Sequence, residues 1–204
     1  MKYLKVPEET IRRLPRYLRA LLFVQQNGIE NIPSHRLAEY VQLNPTQIRK
    51  DLSHFGAFGK RGSGYNVENL CNEIRDILKL NSSQKTVLIG AGRLGTAIAS
   101  FPGFERYGLG ISAIYDNSKK KIGKNIGKHT IRDIARLTNI QRSNIKLAII
   151  ATPPQDSQQI ADRLVKYGVT GILNLSSCYL KVPKKVKVRT LDLAMELIML
   201  PYYT

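Results

Sequence analysis

The sequence predicts an α/β protein in two parts, a helical first half and a second half built on a parallel sheet. Three observations carry this. Up to residue 80, apolar residues recur at three- and four-residue steps. From residue 86 onward, short β-branched runs alternate with helix-spaced segments. Between them, Asn81-Ser82-Ser83-Gln84-Lys85 is the one polar stretch that reads as a linker. With 204 residues and 43% hydrophobic content, the chain is long enough for two small domains with real cores.

The first helix is marked by Leu14, Tyr17, Leu18, Leu21, Leu22 and Gln25, with Pro15 expected in its first turn and an end near Asn27-Gly28. Pro33-Ser34 reads as the N-cap of a short second helix, His35 to Val41, with Leu37, Ala38 and Val41 as its apolar stripe. After a turn at Gln42-Leu43-Asn44, Asn44 caps a third helix with Pro45 at its first position, running to Gly56 and burying Ile48, Leu52 and Phe55. Such an arrangement is a helix-turn-helix. The glycine-rich run that follows, with Lys60 and Arg61 at its tip, reads as a wing between short strands, and residues 68–80 as a further helix.

In the second half, residues 87–89, 110–115, 146–151 and 171–175 are buried-strand candidates, and residues 93–100, 131–138 and 155–167 carry helical spacing. The expectation is a parallel sheet covered on both faces. The segment Leu191 to Leu200 is apolar nearly all round, so one docking face would not bury it, whereas a partner subunit would. The expected domains are therefore 1–80, a linker at 81–85, 86–190, and a terminal dimerisation helix at 191–204.

Composition narrows the partners. The chain holds 32 Lys+Arg against 15 Asp+Glu, a formal net charge of +17, which attracts polyanions and favours nucleic acid. Both halves are basic, so charge alone does not locate the contact. No apolar run reaches the roughly 18 residues of a membrane span, and the first residues lack the apolar region of a signal peptide, so a soluble cytoplasmic protein is expected. Cys71 and Cys178 lack partners at ligand spacing; neither a disulfide framework nor a metal site is expected.

Gly90-Ala91-Gly92-Arg93-Leu94-Gly95 fits G-x-G-x-x-G after a strand and before a helix. The first glycine permits the turn, the second lets backbone approach a pyrophosphate, and the third packs helix on strand, a Rossmann-like arrangement with phosphate at the helix N-terminus. Asp116 stands at the end of the next strand candidate, where an acid accepts a ribose 2′-hydroxyl and disfavours a 2′-phosphate, so NADH/NAD+ is the expected cofactor. Lys119, Lys120 and Lys121 are placed to attract phosphate instead. Thr152 and Pro153, followed by Pro154, lie at the carboxyl edge of the sheet; they read either as a wall of the nicotinamide side or as a strand terminator.

Catalytic residues are not found. His35 and His54 lie in the helical half, and His129 has only Asp133 nearby in sequence. The cofactor is thus expected to be a signal rather than a reagent. On the third helix, Thr46, Gln47, Arg49, Lys50 and Ser53 face away from the apolar side and are the types that read a major groove, while Lys60 and Arg61 reach phosphate or a minor groove. Asp51 is expected to pair internally, with Arg49 or a wing residue. The alternative reading is a small NAD(H)- or CoA-binding enzyme with an accessory winged helix.

The stretches R-L-P-R-Y-L-R (13–19), Q-I-R-K-D-L-S-H-F-G-A-F-G-K-R-G-S-G-Y-N-V (47–67), G-A-G-R-L-G (90–95), K-I-G (121–123), G-I-L-N (171–174) and L-D-L-A (191–194) together resemble the Rex redox-sensing transcriptional repressors over nearly the whole chain. The resemblance implies a homodimer with N-terminal winged-helix domains, Rossmann-like sensor domains and a C-terminal helix swapped between subunits. It implies that operator DNA is bound as an inverted repeat and released when NADH binds. It adds Lys121, Ile122 and Gly123 to the cofactor residues and Tyr65 to those at DNA, and it implies a switch between domains and subunits involving Arg19, Phe101 and Asp192. Two departures stand out: Asn174-Leu175-Ser176-Ser177 replaces the Asn-Phe-x-Pro common in relatives, and Phe101 stands where some carry tyrosine.

Overall fold

The structure is a computed structural model that describes residues 6–56, 58–60 and 64–203, Lys60 by its backbone alone. The chain divides into two compact units, Met1–Asn81 and Ser82–Thr204.

In the first unit, α1 (Glu8–Gln26) is longer than its apolar stripe suggests, because Glu8 and Glu9 in its first turn pair with Arg12 at 3.0 Å each and extend it forward. Pro15 consequently lies inside α1 and not in its first turn. A short strand, β1 (Asn31–Ile32), leads to α2 (Ser34–Val41). Ser34 is not the cap: it is the first residue of the helix, Pro33 precedes it without a side-chain cap, and the Ser34 hydroxyl instead accepts from Arg49. Gln42 closes α2 in the left-handed region at φ 51°, turning the chain into α3 (Pro45–Ser53). The Asn44 side chain caps α3 by accepting from the Thr46 N–H at 2.8 Å. This helix stops at Ser53, one turn short of the expected Gly56.

Strands β2 (Gly59–Lys60) and β3 (Gly64–Asn66) form the wing with β1 in the order β1-β3-β2, all antiparallel. The Asn66 side chain then caps α4 (Val67–Ile77). The core of this unit is where the four helices meet, with Leu14, Leu18, Leu21, Leu37, Ile48 and Ile74 buried. The first unit is a winged helix-turn-helix.

The second unit carries β4 (Gln84–Ile89), α5 (Arg93–Ala99), α6 (Gly103–Arg106), β5 (Leu109–Asp116), β6 (Asn125–Ile126), β7 (His129–Asp133), α7 (Asn139–Arg142), β8 (Leu147–Ile150), α8 (Pro154–Lys166), β9 (Gly171–Asn174), β10 (Lys187–Thr190) and α9 (Leu193–Ile198). Gln84 and Lys85 already belong to β4 and not to the linker. The sheet order is β10-β9-β8-β4-β5-β7-β6, parallel except for the terminal β6–β7 hairpin. Residues 131–138 are not helical: Ile131 lies in β7, beside Ile114 of β5, and Ile134 to Arg136 form one 3-10 turn after the Asp133 cap. Ile131, Ile134 and Leu137 imitate a helical stripe by their three-residue steps, yet Ile131 packs on one side of the unit's core while Ile134 and Leu137 pack on the other. That core has two layers, one including Val87, Ile89, Tyr115, Ile150 and Leu164, the other Leu88, Ile114, Ile131 and Ile149. Alternate residues of each central strand thus serve opposite faces, as in a doubly covered sheet.

Candidate functional sites

β4 is the turning point of the sheet, with β5 on one side and β8 on the other, so the loop leaving β4 opens where the two halves diverge. Backbone bonds from Gly90 N–H to Tyr115 O and from Ala151 N–H to Ile89 O, both 2.8 Å, hold that loop between its neighbours. Gly90 has φ +100°, and a Cβ there would stand 2.4 Å from Ala151 O; at Gly95 it would stand 1.9 Å from Gly90 O. Gly92 differs: its backbone is ordinary, at φ −76°, and a Cβ would meet nothing within 4 Å. Two of the glycines are therefore required by the protein's own packing, while the third faces open space at the start of α5. The Thr96 N–H bonds back to Gly92 O at 2.8 Å, as the first turn of α5 closes. Arg93 and Leu94 are exposed beside this opening, and Ala91 is buried.

Asp116 is buried, and its carboxylate is engaged by the protein itself. Oδ2 accepts from the Ala91 N–H at 2.8 Å and from Lys121 Nζ at 3.2 Å, and Oδ1 accepts from the Ser118 N–H at 2.8 Å. Burial by itself would raise this carboxyl's pKa, but the Ser118 and Ala91 N–H groups and Lys121 outweigh it and hold the pKa below the usual value. Asp116 thus ties the glycine loop to the end of β5. Lys121 is drawn to the carboxylate, whereas Lys119 and Lys120 are exposed. Gly123, at φ +87°, donates its N–H to Ile131 O, which holds the Lys121-Ile122-Gly123 turn against β7.

Thr152 adjoins the same loop, since a Cβ on Gly90 would lie 3.0 Å from its Cγ2. The Thr152 and Ser157 hydroxyls are 3.0 Å apart, and Pro153 and Pro154 start α8 directly. Phe101 is 59% exposed and packs edge-on against Phe104 at 5.6 Å.

In the first unit, α3 presents Thr46, Arg49, Lys50 and Ser53 to solvent. Arg49 bridges Ser34 Oγ at 2.9 Å and Thr46 Oγ1 at 3.0 Å, and Ser53 Oγ donates to Lys50 O. Gln47 behaves differently: its Nε2 donates to Asp51 Oδ1 at 2.9 Å on the inner side of the helix. Tyr65 is not on the surface; it is buried in the wing between Ile32 and Gly59, where burial raises its pKa. Lys60 lies in β2, and Arg61 lies outside the described residues.

Asp51 corrects a sequence expectation. It pairs with neither Arg49 nor the wing but with α1: Arg13 Nε and Nη2 donate at 2.6 and 2.8 Å, Tyr17 Oη at 2.5 Å and Thr10 Oγ1 at 2.9 Å. Spaced at three and four residues, Thr10, Arg13 and Tyr17 form a polar stripe on α1 that could have been read from the sequence.

Arg19 is exposed on α1 of the first unit, and Asp192 caps α9 of the second by accepting from the Ala194 N–H at 3.0 Å. Among the described residues there is no cluster able to hold a metal ion, and no helix is long and apolar enough to cross a membrane.

Residues 5–53 match the family described as "Putative DNA-binding protein N-terminus", and residues 81–178 match "CoA binding domain". A redox-sensing transcriptional repressor Rex from Carboxydothermus hydrogenoformans is 42% identical over 203 residues, covering 99% of this chain and 98% of its own. The Rex of Chloroflexus aurantiacus is 43% identical over 198 residues, covering 97% and 93%. Among solved structures, RSP in complex with beta-NAD+ and operator DNA aligns with a TM-score of 0.90 at 37% identity, covering 98% of this chain and 93% of that one. RSP with beta-NADH aligns at 0.89 and 36% identity, covering 98% and 94%. From its two-unit fold and this near-complete likeness in sequence, the chain belongs to the family of Rex redox-sensing transcriptional repressors.

Proposed function

We propose that this chain is a homodimeric repressor that binds an inverted-repeat operator through its winged helices and releases it when NADH binds the glycine loop. The observation that carries this reading is the open face at Gly92, set between two glycines that internal packing demands. A dinucleotide pyrophosphate approaches the backbone there, at the N-terminus of α5, while Thr152 and Pro153 border the loop from β8. When bound, the nicotinamide group supplies a redox-dependent charge and shape rather than a reacting hydride. Asp116 holds the loop in shape through Ala91 and offers its remaining acceptor direction to the adenosine ribose.

The DNA side rests on the exposed groups of α3. Thr46, Arg49 and Lys50 project from one face, and Lys50 carries no internal ion pair among the described residues. The wing adds Lys60 and Arg61, and the net charge of +17 supplies the general attraction to phosphate. Support for the dimer comes from α9 and the turn after it. Leu193, Met195, Leu197 and Ile198 are each more than half exposed in the single chain, a surface that a second copy would cover by exchanging this helix. The cytoplasm, where DNA is available, is the matching location, and the chain works as a regulator rather than an enzyme. The match to a CoA-binding family model keeps one alternative ligand in view, because CoA shares an adenosine diphosphate with NAD. Isothermal titration of NADH, NAD+ and CoA into the chain separates them: tightest binding of NADH supports the redox reading, and tightest binding of CoA refutes it.

A further inference from the structure

Five hydrogen bonds converge on Asp51, a side chain with 0% exposure on the inner face of α3. Four come from three residues of α1, and one comes from Gln47 of its own helix. Burying a carboxylate is costly unless it is paired and fully bonded, and a well-packed apolar residue would join two helices at least as well. What the apolar alternative lacks is direction. Bonds at 2.5 to 2.9 Å that arrive at both oxygens fix α3 against rotation about its axis and against sliding along α1.

Direction matters because Thr46, Arg49, Lys50 and Ser53 leave the opposite side of the same nine-residue helix. Side-chain tips stand roughly 5–6 Å from a helix axis, so a rotation of about 15° moves them ~1.5 Å. Hydrogen bonds to base edges tolerate only a few tenths of an ångström, whereas an attraction between a lysine and a phosphate survives such a shift. The Arg13 guanidinium and the Asp51 carboxylate hold each other charged: burial pushes the acid's pKa up, but Arg13, Tyr17, Gln47 and Thr10 outweigh it and bring it down to about 2. Gln47, though on the expected recognition helix, is drawn into the same cluster.

We propose that Asp51 is a positioning residue for base reading: it locks the rotation of α3 to α1 through Thr10, Arg13 and Tyr17, and so sets which base edges Arg49 and Lys50 reach. The inference rests on the reading of α3 as the DNA-reading helix. It also makes α1 and α3 one rigid piece, so a displacement of α1, the helix that carries Arg19, moves the reading face with it.

The test uses the full chain and a duplex selected by the parent protein from a random library, with an unselected duplex of equal length beside it. Asp51→Asn is expected to keep its helical circular-dichroism signal and its NADH affinity. It should bind the unselected duplex within about twofold of the parent with the same salt slope, yet lose its preference for the selected duplex by at least about tenfold. Tyr17→Phe and Thr10→Val, which each remove one bond and keep shape, should lose less and give the same pattern should Asp51→Asn fail to fold. Equal loss on both duplexes would reduce Asp51 to a structural role and overturn the proposal, as would full retention of preference. A parent chain that selects no sequence at all would instead overturn the DNA-reading role of α3 itself.

Discussion

Replacing Gly92 by valine separates what the glycine loop does for the protein from what it does for a ligand. A Cβ at Gly92 meets no atom within 4 Å, and the backbone there, at φ −76° and ψ −170°, is one that valine adopts freely. The folded protein therefore loses little, and the unfolding free energy of Gly92→Val should stay within the ~0.5 kcal/mol typical of a neutral surface change. The open space is where a pyrophosphate would rest, so the branched side chain takes the place of at least one backbone N–H to phosphate bond. Charge-assisted bonds of this kind contribute about 1.5–3 kcal/mol, so NADH affinity should fall on the order of 10- to 150-fold. DNA binding should be retained and its response to NADH lost. Gly95→Ala is the contrast: its Cβ would lie 1.9 Å from Gly90 O, so this variant should lose stability as well as ligand. The assay pairs NADH titration calorimetry with thermal melts and operator anisotropy. Unchanged NADH affinity in Gly92→Val would place the ligand elsewhere, and a large loss of stability would show that the space is not open.

Acid should weaken the first unit in a defined window. The Asp51 pKa lies at about 2 in the folded chain against 3.8 for the free group, so its contribution is complete above about pH 4 and drains away as pH falls toward 2; Asp51→Asn should flatten thermal stability against pH across that window. Asp116 is held below its usual pKa by the Ser118 and Ala91 N–H groups and Lys121, so the loop it ties, and NADH binding with it, should weaken as acid protonates this carboxylate, read by calorimetry. Lys50→Ala should cost ~1–3 kcal/mol and lower sequence discrimination, while Arg61→Ala should weaken all duplexes alike and flatten the salt slope. A Lys50 variant with parental operator affinity would contradict the orientation of α3. If the switch implied for Arg19 and Asp192 is a latch, an ion pair between one subunit's Arg19 and its partner's C-terminal helix, Asp192→Asn is the informative change, since it keeps the cap on α9 and removes only the charge. It should remain dimeric and bind both ligands with a shifted NADH concentration for release, and Arg19→Asp combined with Asp192→Arg should restore part of it; no shift in the single variant would sink the latch.

Local rules account for much of what could be read in advance. The three-four spacing of Leu14, Leu18 and Leu21 marks α1, Asn44-Pro45 marks the start of α3, and the glycine loop sits in the strand–turn–helix setting its spacing requires. Local pattern misleads where tertiary packing imitates or overrides it. Ile131, Ile134 and Leu137 have helical spacing although they sit on a strand end and a turn that serve opposite sides of the core. β10 is not legible in the sequence because its Lys-Val-Arg-Thr alternation, on the outermost parallel strand, has too little apolar character to stand out. Ser34 resembles a cap but answers to Arg49, 15 residues away. The partners of Asp51 lie 34 to 41 residues off on α1, and the Ala91 N–H reaches Asp116 across 25 residues. Such pairings follow from the fold and not from spacing, which is why the sequence shows Asp116 at the strand end but not its structural duty to the loop.

The central claim is that one chain reads DNA and the redox state of a dinucleotide, and that the two readings are coupled. Its most direct measurement is the anisotropy of a labelled operator duplex bound by the parent chain, titrated first with NADH and then, separately, with NAD+. The account predicts release by NADH at concentrations where NAD+ leaves the complex intact, with operator DNA weakening NADH binding by the same factor, typically 5- to 150-fold. Equal release by both forms, or by neither, would contradict it.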